Sequence, residues 1–207
     1  MAEPSDGELL TAWGAGDRAA GERLFARYFE AVVRFFQNKV GRDHDDLIQQ
    51  TFLGCLEARA GFRADGSFRA FLFGIAHNVL GKYLRGRYRD PVALDFAHVS
   101  MAELGDSPSM IVAQDQRQKL MLGALRRIPL DHQVALELHY WEGMTAQEIG
   151  ETLALPLGTA KTRLRRAKAL LAAELTDLLA GVHGAEATET RLDGWAAGIR
   201  QQLARPG

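Results

Sequence analysis

Between Arg18 and Val40 the apolar residues Leu24, Phe25, Tyr28, Val32, Phe35 and Phe36 recur at steps of three and four, which gathers them on one face of a helix. That period returns along most of the 207 residues and constrains the fold more than any other feature. Strands would need alternation, and a chain patterned at 3.6 cannot bury its apolar residues that way. Alanine, leucine and arginine dominate and β-branched residues are sparse, so intrinsic preference points in the same direction. The expectation is an all-α protein.

The helical segments fall into two groups. The first holds Leu9 to Trp13, then Arg18 to Val40, closed by Gly41. A third helix begins near Asp43 or Asp45 and carries Leu47, Ile48, Phe52, Leu53 and Leu56 to about Arg59. Its first turn is acidic, as the helix dipole favours. A loop from Gly61 to Ser67 leads into a long helix from Phe68 to Arg87, with Phe71, Leu72, Ile75, Val79 and Leu84 on its apolar stripe. Residues 90–113 contain Pro91, Gly105 and Pro108 and have no convincing period, the pattern of a flexible or partly extended linker. The second group follows: a helix from Met110 to Ile128, a break at Pro129, and a helix capped by Asp131 that reaches Tyr140. Thr145-Ala-Gln-Glu148 is a capping box, Ala154 to Leu157 is a turn, and a last helix runs from Gly158 to Leu179. These boundaries divide the chain into 1–89, a linker 90–115, 116–180, and an extension 181–207. In that extension Leu192, Trp195, Ala196, Ile199 and Leu203 have the spacing of a short C-terminal helix.

The net charge of −1 conceals a segregation. Residues 63–89 carry Arg63, Arg69, Lys82, Arg85, Arg87 and Arg89 against Asp65 alone. Residues 90–115 carry Asp90, Asp95, Glu103, Asp106 and Asp115 and no lysine or arginine. A second basic cluster sits at Lys161, Arg163, Arg165, Arg166 and Lys168. Two basic patches flanking an acidic linker suit two contacts with one polyanion, whereas without further pattern each run is more simply read as a solvated helix face. The last two helices have the form of a helix-turn-helix. Ala160, Leu164, Ala167 and Leu171 pack inward, and Thr159, Thr162, Arg163 and Arg166 face away, with Lys161, Arg165 and Lys168 alongside. Arginine forks onto guanine and threonine meets a thymine methyl, while flanking bases hold phosphates.

Several function classes drop out. The sequence has no phosphate-cradling glycine loop, His-Glu-x-x-His or nucleophile elbow, and its six histidines have no ligand spacing, so neither catalysis, metal nor cofactor is expected. His139 with Glu142 is a weak pair, more simply read as surface or core polar groups. The single cysteine, Cys55, reads as a small buried hydrophobe. The opening Met-Ala-Glu-Pro-Ser-Asp has no secretory pattern and no apolar run has spanning length, which places the protein in the cytoplasm with no membrane insertion.

Five stretches together resemble a family. Asp43-His-Asp-Asp-Leu-Ile-Gln-Gln-Thr-Phe52 is similar to the acidic polymerase-binding helix of sigma region 2. Phe62-Arg-Ala-Asp-Gly-Ser-Phe-Arg-Ala-Phe-Leu-Phe-Gly-Ile-Ala-His-Asn78, continued by Tyr83-Leu-Arg85, resembles the loop and helix with which extracytoplasmic-function sigma factors open DNA. Trp141 to Gly150 and Leu155 to Ala167 resemble region 4, the reader of the minus-35 element. The resemblance spans residues 8–178 and implies a non-enzymatic sigma factor that binds core RNA polymerase and promoter DNA. A sigma-derived regulator that never engages polymerase is the alternative.

By the same resemblance Asp45, Asp46, Leu47, Gln49, Gln50 and Phe52 would meet the polymerase clamp, although Leu47 and Phe52 serve equally as core. Phe62, Arg63, Asp65, Ser67, Phe71, Asn78, Lys82, Arg85 and Arg87 would meet the minus-10 element, with a flipped base received by the loop. Phe71 and Phe73 also suit the core. Thr145, Gly158, Thr159, Lys161, Thr162, Arg163, Arg165 and Arg166 would meet the minus-35 element. The family implies an anti-sigma partner covering the same surfaces and a monomer when free. Lys82 stands where many relatives have an acid, and Ala154 where they place glycine. The two domains are expected to rest closed on each other, basic patches partly masked, until polymerase separates them.

Overall fold

A computed structural model of the protein describes residues 3–40, 43–62, 66–87, 95–105 and 116–180. Within them the order is α1 (Asp6–Gly14), α2 (Arg18–Gln37), α3 (His44–Ala58), a 3-10 turn (Arg59–Gly61), α4 (Phe68–Arg87), α5 (Gln116–Arg127), α6 (Leu130–Tyr140), α7 (Ala146–Thr152) and α8 (Leu157–Ala180). The isolated β-bridge found among these residues joins Ser100 and Pro129. The described residues are all-helical, with α1–α4 forming one unit and α5–α8 the second. The expected C-terminal helix lies outside the described residues.

Each helix in the first unit starts or stops for a local reason. Ser5 and Glu8 form a capping box at α1, the Ser5 hydroxyl accepting the Glu8 N–H at 3.3 Å and the Glu8 carboxylate accepting the Ser5 N–H at 2.7 Å. Asp17 caps α2 through the N–H groups of Ala19 and Ala20, at 2.9 and 3.2 Å. The expected run of α2 to Val40 is too long. The helix stops at Gln37, where the Phe36 carbonyl accepts N–H groups from both Lys39 and Val40, each at 2.8 Å, and this tight turn carries Lys39 into the interior. On α4 the buried stripe is Phe68, Leu72, Phe73, Ala76, Leu80 and Leu84. Phe71, Ile75 and Val79 are half-buried on its flank, because α4 meets α2, α3 and α7 at once.

In the second unit α6 is buried along nearly its whole length, with Leu130, Val134, Ala135, Leu136 and Leu138 all interior. Pro129 occupies its N-cap with no side-chain cap bond. The expected cap, Asp131, instead lies within the first turn and pairs with Arg163 of α8 at 2.9 Å. Between α7 and α8 the chain reverses where the Leu155 N–H bonds the Gly150 carbonyl at 2.7 Å, and a Cβ at Gly150 would sit 2.8 Å from the Leu155 oxygen. Ala154 completes that turn at φ +53, the left-handed conformation that L side chains resist. Ala154→Gly is therefore expected to raise stability by about 1 kcal/mol, read as a higher denaturant midpoint with an unchanged slope.

The linker departs from expectation. Residues 95–105 form compact turns anchored on the second unit. Met101 is fully buried and the Ser100 hydroxyl and Glu103 carboxylate form a small capping motif. The carbonyls of Phe96 and Val99 accept N–H groups from Asp131 and Leu130 at 3.0 and 2.9 Å, and the Ala102 N–H reaches Arg126. Buried Met101, the backbone bonds to the second unit and a serine–glutamate turn override an acidic composition that pointed to flexibility. The rest of the expected linker lies outside the described residues.

The two units rest against each other. Lys39, fully buried, pairs with Glu137 and also donates to the Phe35 carbonyl. Asn38 and Gln133 donate to the same Glu137 carboxylate at 3.2 and 2.9 Å, and Arg126 reaches the Asn38 carbonyl at 2.7 Å. Arg34 meets Glu142 at 3.3 Å, and Arg69 meets Glu148 at 2.7 Å. The first unit supplies the cations of these pairs and the second the anions.

One histidine, His77, faces across this contact, and a second, His132, is buried within the second unit. Burial pushes His77 of α4 below the ordinary histidine range; Arg163, Lys39 and Arg85 push the same way and Asp131 opposes them. Burial, Arg163 and Arg166 do the same to His132 of α6, against Asp131, while His98 adds a small push downward. A histidine depressed in the folded chain takes up its proton on unfolding, so stability is full above the ordinary value of about 6.5 and weakens below it. The unfolding midpoint is expected to fall between pH 7.5 and 5.5, and less steeply in a His77→Gln, His132→Gln variant.

Candidate functional site

Three exposed surfaces concentrate the expected residues. The first is a groove of about 780 Å³ between α2 and α3, floored by Phe25, Phe29, Ile48, Phe52, Leu53 and Leu56. Glu30, Asp45 and Gln49 stand on its rim. Phe29 and Phe52 stack with ring centroids 6.1 Å apart, and Phe29, Leu53 and Leu56 remain 47%, 48% and 48% exposed. Asp46 and Gln50 are also exposed. Leu47 is the correction here. At 2% exposure it belongs to the core with Ile48, Thr51 and Cys55, because those four form the buried face of α3. Sequence reasoning missed Phe29, Leu53 and Leu56 as surface, since apolar residues on a helix read first as core.

The second surface surrounds the start of α4. Phe62 and Phe71 are half-buried with centroids 4.8 Å apart, and Phe68 lies behind both, fully buried. The Ser67 hydroxyl accepts the Ala70 N–H at 3.3 Å, which ties the loop end to the helix. Phe73 is core. Arg63 and Asp65 lie outside the described residues. Farther along, Asn78, Lys82 and Arg85 are exposed at helical steps of four and three, with Arg85 5.7 Å from the Phe96 ring. Arg87 bonds Tyr83 and meets Asp43 at 3.5 Å. A residue that sequence reasoning gave no role backs this surface: Trp13 of α1 packs edge-on against Phe25 and Phe68 at 5.4 and 6.4 Å, and Arg59 lies 5.3 Å over its ring.

The third surface is the α7–α8 pair. The expected capping box is present: the Thr145 N–H reaches Glu148 at 2.9 Å, and the Thr145 hydroxyl accepts the Glu148 N–H at 3.2 Å. These bonds hold the Glu148 carboxylate below its ordinary range against the opposing cost of burial, and Arg69 adds to them. Ala160, Leu164, Ala167 and Leu171 point inward as expected. Gly158, Thr159, Lys161, Thr162, Arg165 and Arg166 are exposed on the other side, joined by Leu157, 43% exposed. Arg163 departs from the outward face. Its side chain, 17% exposed and paired with Asp131, lies on the flank of α8. Lys168 sits 5.1 Å from the Tyr140 ring.

Elsewhere the chemistry is quiet. Burial pushes the Cys55 thiol up to about 12, so it behaves as the buried hydrophobe expected of it. His139 bonds the Met144 carbonyl at 2.9 Å and Glu142 meets Arg34, which separates that pair. Among the described residues no cluster of histidine, cysteine and acids has the form of a metal site, and no helix is long and apolar enough to cross a membrane.

The three surfaces lie within segments that match known families. Residues 24–90 match the family description Sigma-70 region 2, and residues 118–171 match Sigma-70, region 4. The chain is 25% identical over 189 residues to the ECF RNA polymerase sigma-E factor of Haemophilus influenzae, covering 86% of this chain and 100% of that one. It is 27% identical over 192 residues to the RNA polymerase sigma-H factor of Pseudomonas aeruginosa, covering 86% and 98%. Two solved structures share the fold. CnrH in complex with the cytosolic domain of CnrY has TM-score 0.59 at 23% identity, covering 83% of this chain and 97% of that one. The sigma factor RpoE with the anti-sigma factor NepR from Bartonella quintana has TM-score 0.58 at 20% identity, covering 75% and 96%. With both halves matched in order and relatives aligned along nearly their full length, the chain belongs to the sigma-70 family, within its extracytoplasmic-function group.

Proposed function

We propose that this protein binds core RNA polymerase and directs promoter-specific initiation of transcription, opening the minus-10 element through α4 and its preceding loop and reading the minus-35 element through α8. The observation that carries this reading is the exposed apolar groove with an acidic rim on α2 and α3. A regulator that only binds DNA has no use for such a face, and exposed apolar patches of this kind mark docking sites. Glu30, Asp45 and Gln49 form its polar border and Phe52 part of its floor, while Asp46 and Gln50 are exposed on the same helix, α3. Catalysis belongs to the polymerase. The protein works in the cytoplasm, and an anti-sigma factor covering the groove or the DNA-binding faces would hold it inactive.

The test is run-off transcription with purified bacterial core polymerase on a promoter library, comparing the native protein with Asp46→Arg, Gln49→Ala. Transcripts from a shared two-part motif with the native protein, and none with the variant, are expected. Duplex binding by both proteins without initiation by either would establish a regulator that does not engage polymerase.

Gly158 supplies a separate check on the DNA side. A Cβ there would meet nothing within 4 Å, so neither packing nor a positive φ accounts for the glycine. Glycine in a helix costs about 1 kcal/mol relative to alanine, and close approach by a phosphate or base edge accounts for its presence at the start of α8. Gly158→Ala is expected to raise the unfolding midpoint while weakening minus-35 duplex binding about tenfold. A gain in both would count against DNA lying there.

A further inference from the structure

We infer that residues 190–204 seat as an amphipathic helix in the α2–α3 groove of the same chain, and so hold the free protein off polymerase until polymerase displaces them. Holding off polymerase rests on the sigma reading above, whereas the docking itself stands on the groove and the segment alone. Phe29, Leu53 and Leu56 stay nearly half exposed along the groove, which runs between two helices, the shape that accepts the apolar side of a third. Its acids stand on both walls, Glu30 on α2 and Asp45 on α3. An occupant therefore needs an apolar stripe one helix face wide with a cation along each edge.

The sequence of residues 190–204 has that form. Leu192, Trp195, Ala196, Ile199 and Leu203 stand at i, i+3, i+4, i+7 and i+11, the anchor spacing of a helix lying in a groove. At 3.6 residues per turn Arg191 falls on one edge of the stripe and Arg200 on the other, which matches the acids on the two walls. Asp193, the one acid in this segment, follows Thr190 by three residues in a capping-box pattern, so its carboxylate serves the helix's own N-terminus and not the rim. Tryptophan is a favoured anchor in contacts of this kind. These residues lie beyond both family-matched segments, and 86% of this chain accounts for the whole length of the Haemophilus sigma-E factor. Functions shared with the relatives therefore leave the stripe unexplained.

Reach and strength suit a reversible latch. From Ala180 at the end of α8 to Leu192 the chain, fully extended, spans ~40 Å. That is comparable to the width of a compact chain of this size, whose radius of gyration is about 17 Å. A tether so short supplies an effective concentration in the millimolar range, which keeps even a weak site mostly filled. Gly194 and Gly198 face away from the stripe and disfavour the helix in isolation, as does its short length. Helix formation is thereby tied to docking, and the contact stays weak enough for a partner with a larger interface to displace it.

A photoreactive benzophenone amino acid in place of Trp195, carried in the full chain and irradiated in dilute solution, reports the docking. Cross-links within one chain to α2 and α3 are expected, and excess core polymerase should abolish them. Cross-links to α5–α8, an even spread over the chain, or links between two copies would overturn the docking. In parallel, Trp195→Glu, Ile199→Glu in the full chain is expected to bind core polymerase about fivefold more tightly, as follows where the groove is free in about a fifth of the native population. Its affinity for a duplex carrying only the minus-35 element should stay the same. Unchanged polymerase affinity, or cross-links that persist in the polymerase complex, would overturn the regulatory role. Native protein that gives the α2–α3 cross-links but neither binds polymerase nor supports run-off transcription would sink the sigma reading, and with it the regulatory role, while the docking holds.

Discussion

Leu53→Glu, Leu56→Glu is expected to lower affinity for core polymerase by at least a hundredfold while leaving the unfolding midpoint almost unchanged. Both leucines are nearly half exposed and line the α2–α3 groove, so the folded chain loses little when they become charged. Surface changes of that kind stay within about 0.5 kcal/mol. Binding is another matter. A partner seated in the groove covers both side chains, and a carboxylate buried against apolar surface without a counter-charge costs several kcal/mol. A hundredfold loss corresponds to about 2.7 kcal/mol, well inside that range. The acidic rim should act differently: Asp45→Asn, at the border of the groove, is expected to slow association and reduce its salt dependence, as rim charges do. Stopped-flow association of labelled protein with core polymerase at two ionic strengths separates these effects. A double-glutamate variant that binds normally would remove the groove from the polymerase contact.

The groove also shows where sequence reasoning reaches its limit. Period alone put Leu47, Ile48, Phe52, Leu53 and Leu56 on one helix, but which arc faces inward depends on the neighbours of α3. Thr51 and Cys55 turned out to share the buried arc with Leu47, and this left Leu53 and Leu56 outside. The same holds on α4, whose stripe is rotated because three helices press on it. Helix ends were legible where a side chain announces them, as at Thr145 and Glu148, and illegible where the cause is tertiary. Asp131 had the chemistry of a cap, yet the proximity of Arg163 offered it a stronger partner. Residues 95–105 had the composition of a flexible tether, and nothing local foretold that Met101 would be buried. Paired motifs carried the functional reading well, because their order along the chain survives uncertainty about packing. Placement of single side chains such as Leu47 and Arg163 did not.

Trp13→Ala is expected to be the most destabilising single change outside the family-matched segments, at about 3–5 kcal/mol, the range for emptying a large aromatic site in a core. The indole is 5% exposed, packs edge-on against Phe25 and Phe68, and lies under Arg59. The site exists because residue 21 is glycine: a Cβ there would fall 2.6 Å from the Trp13 Cδ1 and Nε1 atoms. Gly21→Ala alone therefore forces the indole to shift and should cost about 1–3 kcal/mol by overpacking. Combined, the two changes relieve each other, since the alanine methyl occupies part of the space that the indole vacates. The double variant should be more stable than the sum of the single effects predicts, by about 1 kcal/mol or more, in a denaturant double-mutant cycle. Strict additivity would mean that Trp13 and Gly21 do not share one packing site. The consequence reaches function through Phe68, which stands between Trp13 and the Phe62–Phe71 pair at the start of α4. Loosening Phe68 should impair strand opening more than DNA binding, so Trp13→Phe, which keeps a smaller ring in the site, is expected to transcribe a pre-melted template nearly as well as native protein and a duplex template several-fold less well.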